Sequence, residues 1–304
     1  NILSLFRSTW KILRIGKKNR DAVILVDLLN VTSTLSAVIA KRMSGLKVIG
    51  YLTDMPMYYL GNDEKRPSFQ KKINQYLCSR SVDGYLFLTE EMNKLVNIRS
   101  KPYIVVEGFA DNNMRNRNNC IELKQVHPKI CLYAGMLNKL YGLDMLVEGF
   151  IKADIDDYVL EIFGEGPYKD ELQEISKGHS NILYRGVADN KEIISREERA
   201  TLLINPRYTT AEFTKYSFPS KNMEYMASGT PIITTKLQGM PKDYYPHVFL
   251  LEDESVEGMS NLLKKVLNIS DVDLSKKGAD AKKWILDNKN NIAGTALLKK
   301  LIID

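Results

Sequence analysis

The feature that most constrains this chain is an alternation, kept almost from end to end, of short apolar runs with longer amphipathic segments. Ala22–Asp27 (AVILVD) is a near-continuous apolar run, the pattern of a strand buried on both faces. Thr32–Met43 then reads as a helix and Lys47–Thr53 (KVIGYLT) as the next strand. Phe69–Cys78 is helical, Gly84–Leu88 a strand, Glu90–Val96 a helix and Tyr103–Val106 (YIVV) a fourth strand. Such a succession predicts parallel βαβ units.

Asp111–Asn119 (DNNMRNRNN) has no apolar period and reads as a linker, which places one domain at residues 1–119 and a second at residues 120–304. Beyond it the pattern restarts. Strands are expected at Ile130–Tyr133, Val159–Phe163, Ile182–Tyr184, Thr201–Ile204, Pro231–Thr234 and Val248–Leu251. The intervening helices fall near Leu143–Lys152, Tyr168–Ser176, Lys191–Arg199 and Lys221–Ser228, with Val256–Leu267 and Ser275–Asp287 closing the fold. The expected architecture is α/β: two Rossmann-like, doubly wound lobes with a ligand cleft between them. At 304 residues each lobe can bury its own core. The first has about four strands, few for a nucleotide-type lobe, which predicts that it is incomplete and that further residues belong upstream.

Composition excludes several classes. Hydrophobic residues at 44% and charged residues at 26% are those of a soluble globular protein. No apolar run reaches the length of a membrane span. Cys78, Cys120 and Cys131 are odd in number and form no CxxC, which argues for a reducing cytoplasm rather than a disulfide framework. His127, His179 and His247 have no ligand spacing, so no metal and no cofactor is expected. Residues 1–20 hold six basic side chains and no acid, interleaved with apolar ones at helical spacing. That segment reads as a domain helix with a solvated basic face, or as a peripheral contact with an anionic membrane. The basic residues form no nucleic-acid reading module.

Functional content concentrates in Phe213–Thr235, FTKYSFPSKNMEYMASGTPIITT. Phe218-Pro219 ends the preceding segment. Ser220 is placed to cap a helix whose first turn offers free N–H groups to an anion. Lys221 stands in that turn, and Glu224 lies one turn further on the same side. Gly229 fits the C-cap, and Thr230-Pro231 forbids continuation. An anion pocket beside a carboxylate suits a nucleoside diphosphate with its ribose diol.

Other strand ends carry weaker signals. Gly135 follows the first strand of the second lobe and opens a loop containing Lys139, where a glycine permits either an ordinary turn or close approach to phosphate. Gly164 and Gly166 follow the next strand. Arg185-Gly186-Val187 follows the third, where backbone groups can meet a planar base. Asn205-Pro206-Arg207 ends the fourth, and the Arg207 fork suits either phosphate or a surface carboxylate. In the first lobe Asp54 ends a strand, where it suits either a turn cap or a sugar hydroxyl.

Taken in order, YAGMLNKLYGLDMLVEGF, FGEGP, YRGV, NPR and SFPSKNMEYMASGTPIITT resemble the nucleotide-sugar lobe of a GT-B glycosyltransferase, more narrowly glycosyltransferase family 4, the group 1 retaining enzymes of bacterial polysaccharide synthesis. The resemblance covers about residues 129–270. It implies that Glu224 is the second glutamate of the EX7E motif, holding the donor ribose, and that Gly135 receives the diphosphate. It implies base contact by Arg185, Gly186 and Val187, and phosphate contact by Ser220 and Lys221. Asp54 stands where many members place a histidine beside the donor sugar. The first glutamate of the motif falls at Tyr216, and the usual Arg and Lys of the first loop are Met136 and Tyr141, so Lys139 and Lys221 are expected to carry the phosphate charge. The implied activity is sugar transfer from a nucleoside diphosphate to a glycan or lipid-linked acceptor, without a metal. A nucleotide-sugar epimerase on the same fold and a non-catalytic partner subunit are the rival readings.

Overall fold

The computed structural model describes residues 2–55 and 69–303, with only the backbone described at 69–71, 78 and 79. Pro56 and the side chain of Cys78 therefore lie outside the described residues. Contacts divide the chain into two units.

The first comprises Asn1–Glu107, Lys215–Phe218 and Ile292–Asp304. It runs α1 (Ile2–Lys18), β1 (Val23–Asp27), α2 (Val31–Ser44), β2 (Lys47–Leu52), α3 (Phe69–Arg80), β3 (Gly84–Phe87), α4 (Glu90–Val96) and β4 (Tyr103–Val105). The strands pair in parallel in the order β1-β2-β3-β4. Local chemistry sets the boundaries. Asn30 caps α2 by accepting from the Ser33 amide, and Gly45 ends it in the left-handed conformation at φ 74°. Thr89 caps α4 by accepting from the Met92 amide. The hydroxyl of Thr89 also donates to the carbonyl of Tyr216, which ties the short 215–218 segment into this unit.

The second unit comprises Gly108–Thr214 and Pro219–Asn291. It runs β5 (Lys129–Ala134), α5 (Leu143–Ala153), β6 (Tyr158–Phe163), α6 (Lys169–Gly178), β7 (Ile182–Gly186), α7 (Asn190–Arg199), β8 (Leu202–Asn205), α8 (Ser220–Ser228), β9 (Ile232–Thr235), β10 (Phe249–Leu251), α9 (Val256–Leu267) and α10 (Asp271–Asn288). Its six strands are all parallel, in the order β10-β9-β8-β5-β6-β7. That order reverses between β5 and β8, so a switch point opens at their carboxyl ends, where doubly wound sheets take ligands. Leu146, Phe150, Leu160, Ile204, Ile233 and Leu263 are fully or almost fully buried in its core, and each such side chain stabilises by roughly 1.5–3 kcal/mol. Both parallel sheets agree with the sequence expectation, strand by strand.

Two features differ from it. The polar 111–119 stretch does not separate the units but is bound to the second. Met114 is buried, Arg115 pairs with Asp287 of α10 at 2.9 Å, and the Arg117 guanidinium donates to Glu198 of α7 at 2.7 Å. Asn119 Nδ2 donates to the carbonyl of Ser228 at 2.8 Å. Polarity here serves ion pairs rather than free chain, so the units divide at Gly108, not after Asn119. The second feature is α11 (Asn291–Ile303), which returns to the first unit from Ile292 onward. Lys47 Nζ of β2 donates to its terminal carbonyls of Leu301 and Ile302 at 3.1 and 3.0 Å. Among the described residues no helix is long and apolar enough to cross a membrane.

Candidate functional site

At the switch point of the second unit, three loops brace one another. The Gly135 amide donates to the Phe163 carbonyl at 3.0 Å, and the Gly164 amide to the Gly186 carbonyl at 2.8 Å. Gly164 takes φ 138°, and a Cβ there would lie 1.8 Å from the Gly135 carbonyl oxygen. Only glycine fits, because the β5 loop passes directly over that position. Tyr225 of α8 adds a buried tie: its hydroxyl accepts from the Ala134 amide at 2.7 Å and donates to the Ala134 carbonyl at 3.2 Å. Beneath, Asn205 Nδ2 donates to Asn222 Oδ1 at 2.6 Å, and the Thr234 hydroxyl donates to the same oxygen at 3.2 Å. The start of α8 is thereby fixed to β8 and β9.

Helix α8 begins one residue earlier than a Ser220 cap requires. Pro219 is the N-cap, Ser220 is the first helical residue, and no side chain caps the helix. This corrects the sequence expectation; Pro219 at ψ 112° already supplies the extended entry into the helix. Among the described residues no side chain accepts from the first-turn amides, which is the condition an anion site at a helix start requires. Gly229 closes the helix as expected, at φ 87°, with its amide donating to the Met226 carbonyl.

Lys221 Nζ lies 2.9 Å from Glu224 Oε2 and 3.7 Å from Glu197 Oε1. Glu197, from the last turn of α7, is completely buried. Burial pushes its carboxyl up to about 8, the Glu224 carboxylate adds to the shift, and the Lys221 ammonium opposes it.

An open cavity of about 560 Å³ brings together Gly135, Met136, Gly164, Val187, Asn190 and Lys221. A second, of about 250 Å³, holds Ser220, Glu224, Asp111 and Phe109 and shares Asn190 with the first. Six of the sequence-selected residues, namely Gly135, Gly164, Val187, Ser220, Lys221 and Glu224, thus line two adjoining spaces.

Others are committed elsewhere. Lys139 pairs with Glu171 of α6 at 2.6 Å, and Asp144 and Glu148 lie near enough to help hold its pKa up. The Arg185 guanidinium turns back to Glu161 of β6 at 2.7 Å and leaves only its backbone for a ligand. Gly186 takes φ 77°, with open space where a Cβ would stand. Arg207 stacks over the Tyr141 ring, 4.2 Å from its centroid, and donates to the Pro206 carbonyl. Tyr216 and Asp54 belong to the first unit. Asp54, exposed just beyond β2, accepts from the adjacent Met55 amide at 2.7 Å. Asn190, Glu197 and Tyr225 were missed by sequence reading; nothing in their local pattern marks a site. Among the described residues no group of three His, Cys, Asp or Glu side chains is placed to hold a metal ion.

With this geometry in view, the chain matches the family model described as glycosyl transferases group 1 over residues 115–284, more than half its length. The chain belongs to that family. Among solved structures it is similar to TarM of S. aureus, with 15% identity and a TM-score of 0.71, covering 96% of this chain and 58% of that one. It is similar to HepE of Anabaena, solved in complex with UDP, with 12% identity and a TM-score of 0.71, covering 96% of this chain and 81% of that one. A glycosyltransferase from Rickettsia africae gives 16% identity and a TM-score of 0.71, covering 100% of this chain and 81% of that one. At these identities the likeness shows the fold: the two parallel-sheet lobes are those of GT-B proteins. The chain spans a little over half the length of TarM. No curated protein matches this group 1 chain in sequence.

Proposed function

We propose that this chain is a retaining glycosyltransferase that moves a sugar from a nucleoside diphosphate to a glycan or lipid-linked acceptor in surface polysaccharide synthesis. The observation that carries the reading is Lys221 and Glu224, 2.9 Å apart on a helix start with no side-chain cap, beside the Gly135 and Gly164 loops. Free first-turn amides and an ammonium offset a diphosphate, and a carboxylate one turn away suits a ribose diol. HepE of the same fold was solved with UDP, which favours a nucleotide as ligand.

In this reading the diphosphate leaves as the anomeric carbon gains positive character. The α8 start and Lys221 stabilise the departing charge. The leaving phosphate oxygen takes the acceptor hydroxyl proton on the same face, which retains configuration and needs no protein base.

The first helix supports a peripheral membrane contact on the cytoplasmic side. Leu3, Phe6 and Trp10 are each more than 60% exposed on a helix that also carries Arg7, Lys11 and Arg14 and no acid. Co-sedimentation with vesicles of anionic lipid, lost in Trp10→Ala/Phe6→Ala, tests this.

Calorimetry of the parent protein with UDP and GDP tests the donor site. Binding is expected to weaken at least tenfold in Lys221→Ala and Glu224→Ala, about 1.4 kcal/mol each. Absence of binding by the parent sinks the proposal. Release of free nucleoside diphosphate only when acceptor is present separates transfer from epimerisation.

A further inference from the structure

Among the described residues, three buried carboxylate oxygens around one ammonium accept no close hydrogen bond: Glu197 Oε1, Glu197 Oε2 and Glu224 Oε1. Buried oxygens in that state are costly, and packing alone gives no reason to keep them. Glu224 Oε2 holds Lys221 at 2.9 Å, while Glu197 waits behind the same ammonium at 3.7 Å. Glu197 does not line either cavity. It is therefore set to act on a bound ligand through Lys221 rather than by touching it.

We propose that Glu197 is a positioning residue of this site: its buried carboxyl sets the reach of Lys221 and, when ionised, competes with an incoming diphosphate for that ammonium. The inference rests on the nucleoside diphosphate reading above. With Glu197 neutral, Lys221 has one carboxylate partner, Glu224, and can turn to phosphate while Glu224 is released to the ribose. With Glu197 ionised, the ammonium lies between two carboxylates, and the diphosphate meets an additional buried negative charge. Binding above the Glu197 transition, at about 8, then requires uptake of a proton.

The titratable groups facing Glu197 are Lys221, Glu224 and Tyr225 from α8 and Glu198 from its own helix, the last held by Arg117. Lys124 reaches the same helix end through the carbonyl of Ala200 and titrates near 7, so only a comparison with a Glu197 variant isolates the effect.

The test is calorimetric titration of the full chain with UDP-glucose, and in parallel GDP-mannose and ADP-glucose, between pH 6.5 and 9. Diphosphate esters are chosen because a terminal phosphate itself titrates near this range. The parent is expected to lose affinity above pH 8, approaching tenfold per unit, while Glu197→Gln binds with a flat profile. At pH 8 the parent, titrated in two buffers of different ionisation enthalpy, should take up part of a proton per ligand; this arm holds even where the variant folds poorly. Parallel profiles for parent and Glu197→Gln, or no proton uptake by the parent, overturn the inference and leave the site reading intact. No binding by the parent at any pH overturns both.

Discussion

Lys124 offers the sharpest physical test of the second unit. It closes a short 3-10 turn at Ile121–Lys124 and is buried, 7% exposed. Its ammonium donates to the Ala200 carbonyl at 2.9 Å and to the Thr230 hydroxyl at 2.7 Å, with no carboxylate among the described residues in salt-bridge range. Desolvation pushes it down to about 7, against a weaker opposing pull from Cys120 and Glu198. A base whose folded pKa is lowered imposes its full penalty below that value. The penalty is relieved as pH rises toward the unfolded value of 10.5. From pH 7 to 9.5 this one group should raise unfolding free energy by roughly 3 kcal/mol.

Glu197 works in the opposite sense. Its raised pKa means that stability falls as pH rises from the unfolded value of 4.5 through about 8. Over the same pH 7 to 9.5 window that loss is roughly 1.4 kcal/mol. These two groups should therefore leave the parent rising by roughly 1.5 kcal/mol and the Lys124→Met variant falling by roughly 1.4 kcal/mol. Met keeps the stem volume, and the Thr230 hydroxyl retains Asn119 Nδ2 as donor and the Glu197 carbonyl as acceptor. Lys101, Lys277 and Lys282, also lowered by burial, titrate alike in both proteins and cancel in the difference. Urea unfolding followed by Trp284 fluorescence, in a Trp10→Phe background for parent and variant alike, reads this unit, because the Trp284 ring stacks on His247 at 4.5 Å between centroids. Parent and variant curves that run parallel from pH 7 to 9.5 would refute the burial argument.

Two further predictions use the same assay. Arg185→Ala leaves Glu161, 3% exposed at its side chain, with Arg196 at 3.6 Å as its one remaining ion-pair partner among the described residues; stability should fall by roughly 3 kcal/mol while nucleotide affinity is unchanged, and a large loss of affinity would restore a ligand role to the guanidinium. Gly164→Ala drives a Cβ into the Gly135 carbonyl and should cost at least ~3 kcal/mol, whereas Gly186→Ala, with nothing within 4 Å, should cost only about 1 kcal/mol of backbone strain; equal losses would contradict the loop bracing described above.

The sheets were legible because buried parallel strands are written as runs such as AVILVD and as LLIN at β8, whose burial is complete. Helix ends were legible where a cap was local, as at Gly229. Long-range commitments left no such mark. Lys139, Arg185 and Arg207 look alike in sequence, each a cation at a strand end. What removes them from the cavity is Glu171, Glu161 and Tyr141, residues 24 to 66 positions away. The 111–119 stretch was misread for the same reason, since its charges and amides are spent on α7, α8 and α10.

Buried ionisable groups mark the limit of such reading most clearly, and they also show how site and fold are joined. Glu197 and Lys124 sit in ordinary polar contexts, REER and IELKQ, that predict exposure. Yet both converge on Thr230, whose hydroxyl accepts from Lys124 and donates to the Glu197 carbonyl at 2.6 Å. That residue follows the C-cap of α8, the helix whose other end carries Lys221 and Glu224. One end of α8 is thus anchored by the turn that buries Lys124, and the other faces the carboxyl of Glu197. A substitution that frees Thr230 should shift Lys221 as well as lower stability, because the same short helix transmits both.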